Sequence, residues 1–149
     1  MVEATPELLT DILGSVLQDS AFMFVEPSEE PAEWGEKVFA ATLAFESVKG
    51  GTLRLTMALP VGVELAANML GTEIDDPEAE ENGRAAVSEI LNVIGGAFVT
   101  RYFGTKVPSQ LGLPQALMSS QPASGPRTTC SALVRSETGD PVLLELDMD

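Results

Sequence analysis

Between Lys37 and Leu59 apolar residues recur at every second position on both sides of Lys49-Gly50-Gly51, and this pattern directs the chain toward an antiparallel hairpin. Phe39, Ala41, Leu43 and Phe45 fall on one side of a strand running from Lys37 to Val48. After the glycine turn, Leu53, Leu55, Met57 and Leu59 alternate with Thr52, Arg54, Thr56 and Ala58, which reads as a strand with one face buried and one solvated. A second hairpin closes the chain: Arg127 to Ser136 and Pro141 to Met148 flank Glu137-Thr138-Gly139-Asp140, with Val142, Leu144, Leu146 and Met148 on one face.

The remaining segments read mainly as helices. Leu8, Leu9, Ile12, Leu13, Val16 and Leu17 recur at spacings of three and four between Pro6 and Asp19, and Thr5 before Pro6 is a good N-cap. Ala21 to Val25 reads as a strand ending at Glu26-Pro27, followed by an acidic, proline-containing loop. Pro60 stops the hairpin strand and opens a short helix through Leu70, closed by Gly71. Asp75-Asp76-Pro77 starts a longer helical region to about Phe103, loosened at Asn82-Gly83 and closed by Gly104. A further strand is expected near Gln110 to Met118. Hairpins alternating with helices define an α+β fold: a mostly antiparallel or mixed β-sheet built from hairpins, with helices packed on it, in a single domain over residues 1–149.

Composition excludes whole classes of chemistry. The chain has no histidine and one cysteine, Cys130, so a Ser-His-Asp triad, a Cys-His pair, an intrachain disulfide and the common zinc sites are all unavailable. Cys130 lies in the apolar-leaning run Thr129 to Val134 and reads as a buried, inert thiol. The net charge is −15, from 8 basic and 23 acidic residues. Such a surface repels nucleic acid and anionic membranes and leaves a protein, one with a basic rim suiting it best, as the natural partner, unless the acidity serves solubility alone. No apolar run reaches the roughly 20 residues that span a bilayer. The start Met1-Val2-Glu3-Ala4-Thr5-Pro6 lacks the features of a signal peptide, so a cytoplasmic location is expected.

The most informative stretch is Ala85 to Phe98. In helical projection Val87, Ile90, Leu91, Ile94 and Phe98 gather on one side, which is the core-facing stripe. Glu89 and Asn92, three apart, fall together on the other side, with Ala85 and Gly96 a turn before and a turn after. A carboxylate and a carboxamide flanked by small residues suit the approach of another surface. Two glycines in mid-helix, Gly95 and Gly96, cost about 1 kcal/mol each relative to alanine and need a reason, such as close approach of another backbone or of a partner. An exposed polar pair with glycines serving internal packing would give the same spacing.

Ser88-Glu89-Ile90-Leu91-Asn92-Val93-Ile94-Gly95-Gly96 resembles the active helix, with its Glu-x-x-Asn motif, of the CheC/CheX/FliY group of bacterial chemotaxis phosphatases. The single copy of the motif, the length and the element order point to the CheX branch. Ala66 to Glu73 is similar to the family's preceding helix end, Leu113-Pro114 resembles the proline that follows the motif, and the hairpin around Thr138-Gly139-Asp140 also matches. The family often has a hydroxyl or acidic residue four positions before the glutamate, where this chain has Ala85. Glu64 and Asn68 are spaced by four rather than three and read as ordinary helix surface.

The resemblance implies a hydrolase of two-component signalling that dephosphorylates a CheY-type response regulator. Asn92 would orient the attacking water and Glu89 would engage the partner's active-site lysine, with Ala85, Ser88 and Gly96 meeting the partner. The chain would need no cofactor of its own, Mg²⁺ being supplied by the receiver. It also implies a homodimer formed through sheet edges. A non-catalytic domain of the same fold, binding a signalling receiver or a flagellar-switch partner, is the alternative. A free-standing small-molecule hydrolase would instead require a deep pocket with perturbed carboxylates.

Overall fold

A computed structural model describes residues 3–149; Met1 and Val2, part of the stretch read above for a targeting signal, lie outside the described residues. The element order is α1 (Pro6–Ala21), β1 (Val25–Pro27), β2 (Val38–Glu46), β3 (Gly50–Ala58), α2 (Leu59–Leu70), α3 (Ala79–Phe103), β4 (Gln110–Leu111), β5 (Gln115–Ser119), β6 (Cys130–Ser136) and β7 (Pro141–Met148). The strands form one seven-stranded sheet in the order β1-β6-β7-β3-β2, with β4 and β5 both paired to the outer side of β2. Every described pairing is antiparallel, and the three helices make this the α+β fold expected.

One sheet face carries Phe39, Leu43, Phe45, Leu53, Leu55, Met57, Val134, Val142, Leu144 and Leu146, all buried in a core shared with the helices. From α1, Leu9, Ile12, Leu13, Val16 and Leu17 enter that core, and Thr5 caps the helix by accepting the Leu8 N–H at 3.1 Å. The central hairpin has Phe39 opposite Met57 and Leu43 opposite Leu53. Phe39 is fully buried, and its ring lies against Gly62 of α2 and Gly83 of α3, where an added Cβ would overlap it. Both helices therefore meet the sheet at a glycine.

Several local expectations need correction. The hairpin loop is Ser47-Val48-Lys49, with the Ser47 N–H donating to the Lys49 carbonyl; Gly50 and Gly51 already belong to β3. Added side chains there would meet Glu46, Phe45 and the Asp147 carbonyl, so the glycines serve tight strand contact rather than the turn. Leu59 is the first residue of α2, not the last of the strand, because Pro60 has no N–H for the ladder and suits a first helical turn.

β3 is not half-solvated. Arg54 is only 3% exposed and Thr56 is fully buried, because the segment 120–129 crosses that face. The Ala123 N–H donates to Thr56 Oγ1 at 2.9 Å. The Arg54 guanidinium donates to the Arg127 carbonyl at 2.9 Å and to Thr128 Oγ1 at 2.7 Å, and it pairs with Glu145 at 3.7 Å and Asp147 at 3.8 Å. Alternation alone does not reveal this second cover, which comes from a segment about seventy residues away in the chain.

α1 continues to Ala21 and is closed by Phe22 at φ 54°, so the strand expected from Ala21 shrinks to Val25–Pro27. The terminal hairpin strand begins at Cys130, not Arg127, since 127–129 belong to the crossing segment. α3 runs unbroken through Asn82-Gly83: Gly83 is there for Phe39, not as a hinge. The strand expected over Gln110 to Met118 is two short pieces separated by Gly112-Leu113-Pro114. No helix among the described residues is long and apolar enough to cross a membrane.

Gly83→Ala tests the Phe39 contact. Helix propensity alone would raise stability by about 1 kcal/mol, but overlap with a buried ring is expected to reverse the sign and cost about 1–3 kcal/mol in urea unfolding. Unchanged or increased stability would show that the ring has room to move.

Candidate functional site

α3 is positioned by its apolar stripe. Val87, Ile90, Leu91, Ile94 and Phe98 are all fully buried, as projected. Phe98 stacks on Tyr102 with ring centroids 5.4 Å apart and meets Phe45 at 5.3 Å, which anchors the C-terminal half of the helix to β2. With that side fixed, Ala85, Glu89, Asn92 and Val93 are exposed and Gly96 is half-buried on the opposite face. Residues three apart on a helix have Cβ atoms about 5–6 Å apart, so the carboxylate and the carboxamide stand side by side. Neither side chain makes a hydrogen bond or ion pair among the described residues; their neighbours do. Arg84 is paired with Glu81, one turn toward the N-terminus, and also donates to the Ala116 carbonyl at 3.4 Å. The hydrogen bond from Arg84 holds the Glu81 carboxyl below the usual carboxylate range, and Glu81 raises Arg84 in turn.

Ser88 differs from the other residues singled out on this helix. It is half-buried and donates its hydroxyl to the Pro114 carbonyl over 3.5 Å, a long hydrogen bond that ties α3 to the chain between β4 and β5. Ser88 thus lies on the flank of the exposed face, next to the segment between β4 and β5. The neighbouring Leu113 is 86% exposed, and Val93 of α3 is 37% exposed. Sequence reasoning used Leu113-Pro114 only as a family marker and assigned no role to Leu113 or Val93. The signal available was a leucine between Gly112 and Pro114, outside any apolar periodicity.

The two glycines have different reasons. A Cβ at Gly95 would run into Leu43 of β2, with Leu111 also within 3.4 Å, so Gly95 allows the helix to approach the sheet. Gly96 has no heavy atom within 4 Å of its notional Cβ and opens outward. Internal packing therefore accounts for the first and leaves the second unexplained by the chain itself.

Other candidates resolve differently. Asn68 is exposed, as read, and in addition its Nδ2 donates to the Ala21 carbonyl at 2.8 Å, tying α2 to the end of α1. Cys130 is half-buried rather than buried, and desolvation, with Glu7 adding a smaller effect, raises its thiol above the ordinary value of 9.0. Glu89 and Asn92 do not line the surface hollow formed by Trp34, Lys37, Pro60 and Glu80, nor those beside Phe45 and Gln110 or beside Asp76 and Met118. Among the described residues no group of three or more Cys, Asp or Glu side chains could hold a metal ion. An exposed helix face with two polar side chains that have no partner among the described residues is suited to entering a cleft in another protein.

The fold recurs in solved structures. The chain is similar to a chemotaxis protein CheX from Desulfovibrio desulfuricans, with 15% identity, 96% of this chain and 97% of that chain covered, and a TM-score of 0.76. It is also similar to CheX in a CheX–CheY–BeF₃–Mg²⁺ complex from Borrelia burgdorferi (18% identity, 95% and 96% covered, TM-score 0.69) and to FliY from Thermotoga maritima (14% identity, 99% and 92% covered, TM-score 0.56). At these identities the likeness establishes the fold, that of the CheC/CheX/FliY class. A family model of the chemotaxis phosphatase CheX matches residues 39–135, well over half of the chain and including all of α3. The chain belongs to the CheX family of chemotaxis phosphatases. Comparison with curated proteins returned no match.

Two outcomes follow from the geometry. Gly96→Ala is expected to stabilise the protein by about 0.5–1 kcal/mol and Gly95→Ala to destabilise it by about 1–3 kcal/mol, read by urea unfolding; equal effects would mean that the two positions are not distinguished by Leu43. A raised thiol pKa lowers the thiolate fraction at any pH below it. Cys130 should therefore react with iodoacetamide at pH 8 more slowly than an unstructured cysteine peptide, and a faster reaction would contradict the burial.

Proposed function

We propose that this protein accelerates dephosphorylation of a phosphorylated CheY-type receiver, with Asn92 and Glu89 as the residues that enter the partner's site. The observation that carries the reading is the pair itself: a carboxamide and a carboxylate exposed side by side, without partners in the chain, on a helix locked by its buried stripe. Membership of the CheX family supports it, and so does the solved similarity to a CheX seen in complex with CheY.

The chemistry asks little of the phosphatase. Water attacks the phosphorus in line, the bond between phosphorus and the aspartyl oxygen breaks, the carboxylate leaves, and the water's proton departs with inorganic phosphate. Barriers of this kind fall mainly through positioning and charge stabilisation. Asn92 orients the water by hydrogen bonding to it. Glu89 accepts a hydrogen bond from the ammonium group of the partner's lysine, which docks the two proteins in register. Mg²⁺ is carried by the receiver, where it neutralises the phosphoryl charge. Ala85 and Gly96 present little bulk on either side of the pair, which allows the partner to close over it. The same reading includes a homodimer formed by edge pairing, for which the sheet offers β1 on one side and β4 and β5 on the other.

The test is phosphate release from a phosphorylated CheY-type receiver in the presence of Mg²⁺. Asn92→Ala is expected to lower the stimulated rate by about 100-fold, the scale for loss of one positioned polar group, with binding little changed. Glu89→Ala should chiefly weaken binding. If wild type releases phosphate no faster than Asn92→Ala, the catalytic reading fails. Receiver binding that persists in both variants without any acceleration would establish the non-catalytic interaction domain instead.

A further inference from the structure

We infer that Leu113 is an apolar anchor for the receiver, docking against an apolar patch that borders the partner's acyl-phosphate pocket; the inference rests on the receiver-phosphatase reading above. Three contacts set how the segment between β4 and β5 lies against α3. Leu111 approaches Gly95, the Pro114 carbonyl accepts from Ser88, and the Ala116 carbonyl accepts from Arg84. The segment therefore runs antiparallel to the helix, and Leu113 falls alongside the turn that carries Glu89 and Asn92. It is held from both ends, by the Gly112 N–H donating to the Ala44 carbonyl at 2.8 Å and by the bond at Pro114. At 86% exposed, it is the most solvated of the large apolar side chains described. A leucine held in water by the contacts of Gly112 and Pro114 contributes little apolar burial to the fold.

Charge explains why an anchor of this kind is needed. The chain carries −15 overall, and Glu89 adds a carboxylate at the point of contact with a phosphorylated partner. Both cations of α3 are already engaged, Arg84 with Glu81 and Arg101 with Asp11. Beyond the contact of Glu89 with the partner's lysine, further affinity at this face has to come from desolvated apolar contact, and Leu113 on one flank of the pair and Val93 on the other are the exposed apolar groups beside it.

Calorimetric titration of a CheY-type receiver loaded with beryllofluoride and Mg²⁺ tests the inference, using wild type, Leu113→Ala, Leu113→Asp and Leu113→Met. Burying one leucine corresponds to about 10- to 100-fold in affinity. The expected result is a Kd raised about 10-fold or more for Leu113→Ala, raised further for Leu113→Asp, and within about 3-fold of wild type for Leu113→Met, with kcat at saturating receiver kept within about 2-fold. The loss in Leu113→Ala should be the same at low and high salt, because no charge is removed. Wild-type affinity in Leu113→Asp, or a kcat loss without a Kd change, overturns the anchor. Phosphate release that depends on Asn92 but not on Leu113 sinks the anchor alone, whereas a wild-type protein that binds no activated receiver removes the receiver reading together with the anchor.

Discussion

Rotation of α3 about its own axis is the constraint on which the rest depends. A helix can present any face to a sheet, and here five large side chains, Val87, Ile90, Leu91, Ile94 and Phe98, are fully buried on one side. Each contributes about 1.5–3 kcal/mol by leaving water. Turning the helix by one residue, about 100°, would expose part of that stripe and push Glu89 or Asn92 toward the core, where an unpaired carboxylate or amide is costly. Gly83 against Phe39 and Gly95 against Leu43 add a steric register, since only glycine allows the helix so close to β2. The direction in which the pair points is thus a consequence of core packing, not of anything the pair itself does.

A site built this way needs little from its own chain. A pocket enzyme must hold substrate, exclude water and tune its groups. On the proposed reading this face supplies two side chains and a shape, and the metal and the lysine come with the acyl-phosphate partner. Acidic composition fits such a division, because nothing on the face has to bind phosphate by itself. What the scaffold must provide is rigidity, and it does so at several points: aromatic contacts from Phe45 and Phe98, the Ser88 bond to Pro114, and the Arg84 contact with Ala116. The buried Arg54 cluster does comparable work on the far side of the sheet, tying the segment 120–129 to β3 and β7.

The parts of the fold that could be read in advance were those written in local periodicity. Alternation gave both hairpins, the spacing of three and four gave α1 and the stripe of α3, and Gly71 and Gly104 marked helix ends that the structure retains. Errors arose where a distant segment changes the environment of a residue. Arg54 and Thr56 alternate like solvent-facing residues and are covered by a crossing segment from much later in the chain. Phe22 closes α1 in a left-handed conformation that its residue type does not favour, and Met23, buried beyond it, ties the turn to the core. Asn68 is surface, but its hydrogen bond to the end of α1 is invisible in the sequence. Leu113 gives no periodic signal at all, and the segment that carries it lies against α3 only once β4 and β5 pair with β2.

The sequence by itself determined the element types, the antiparallel class, the exclusion of histidine chemistry and the co-location of Glu89 and Asn92 on one helix face, because each follows from residue identity and spacing within a single element. Tertiary structure decided whether that face meets solvent, which glycine serves packing and which stays open, and what stands beside the pair. Those outcomes depend on contacts between segments far apart in the chain, such as Leu43 with Gly95 and Ser88 with Pro114, and no local pattern encodes which surface will be left uncovered when the core closes.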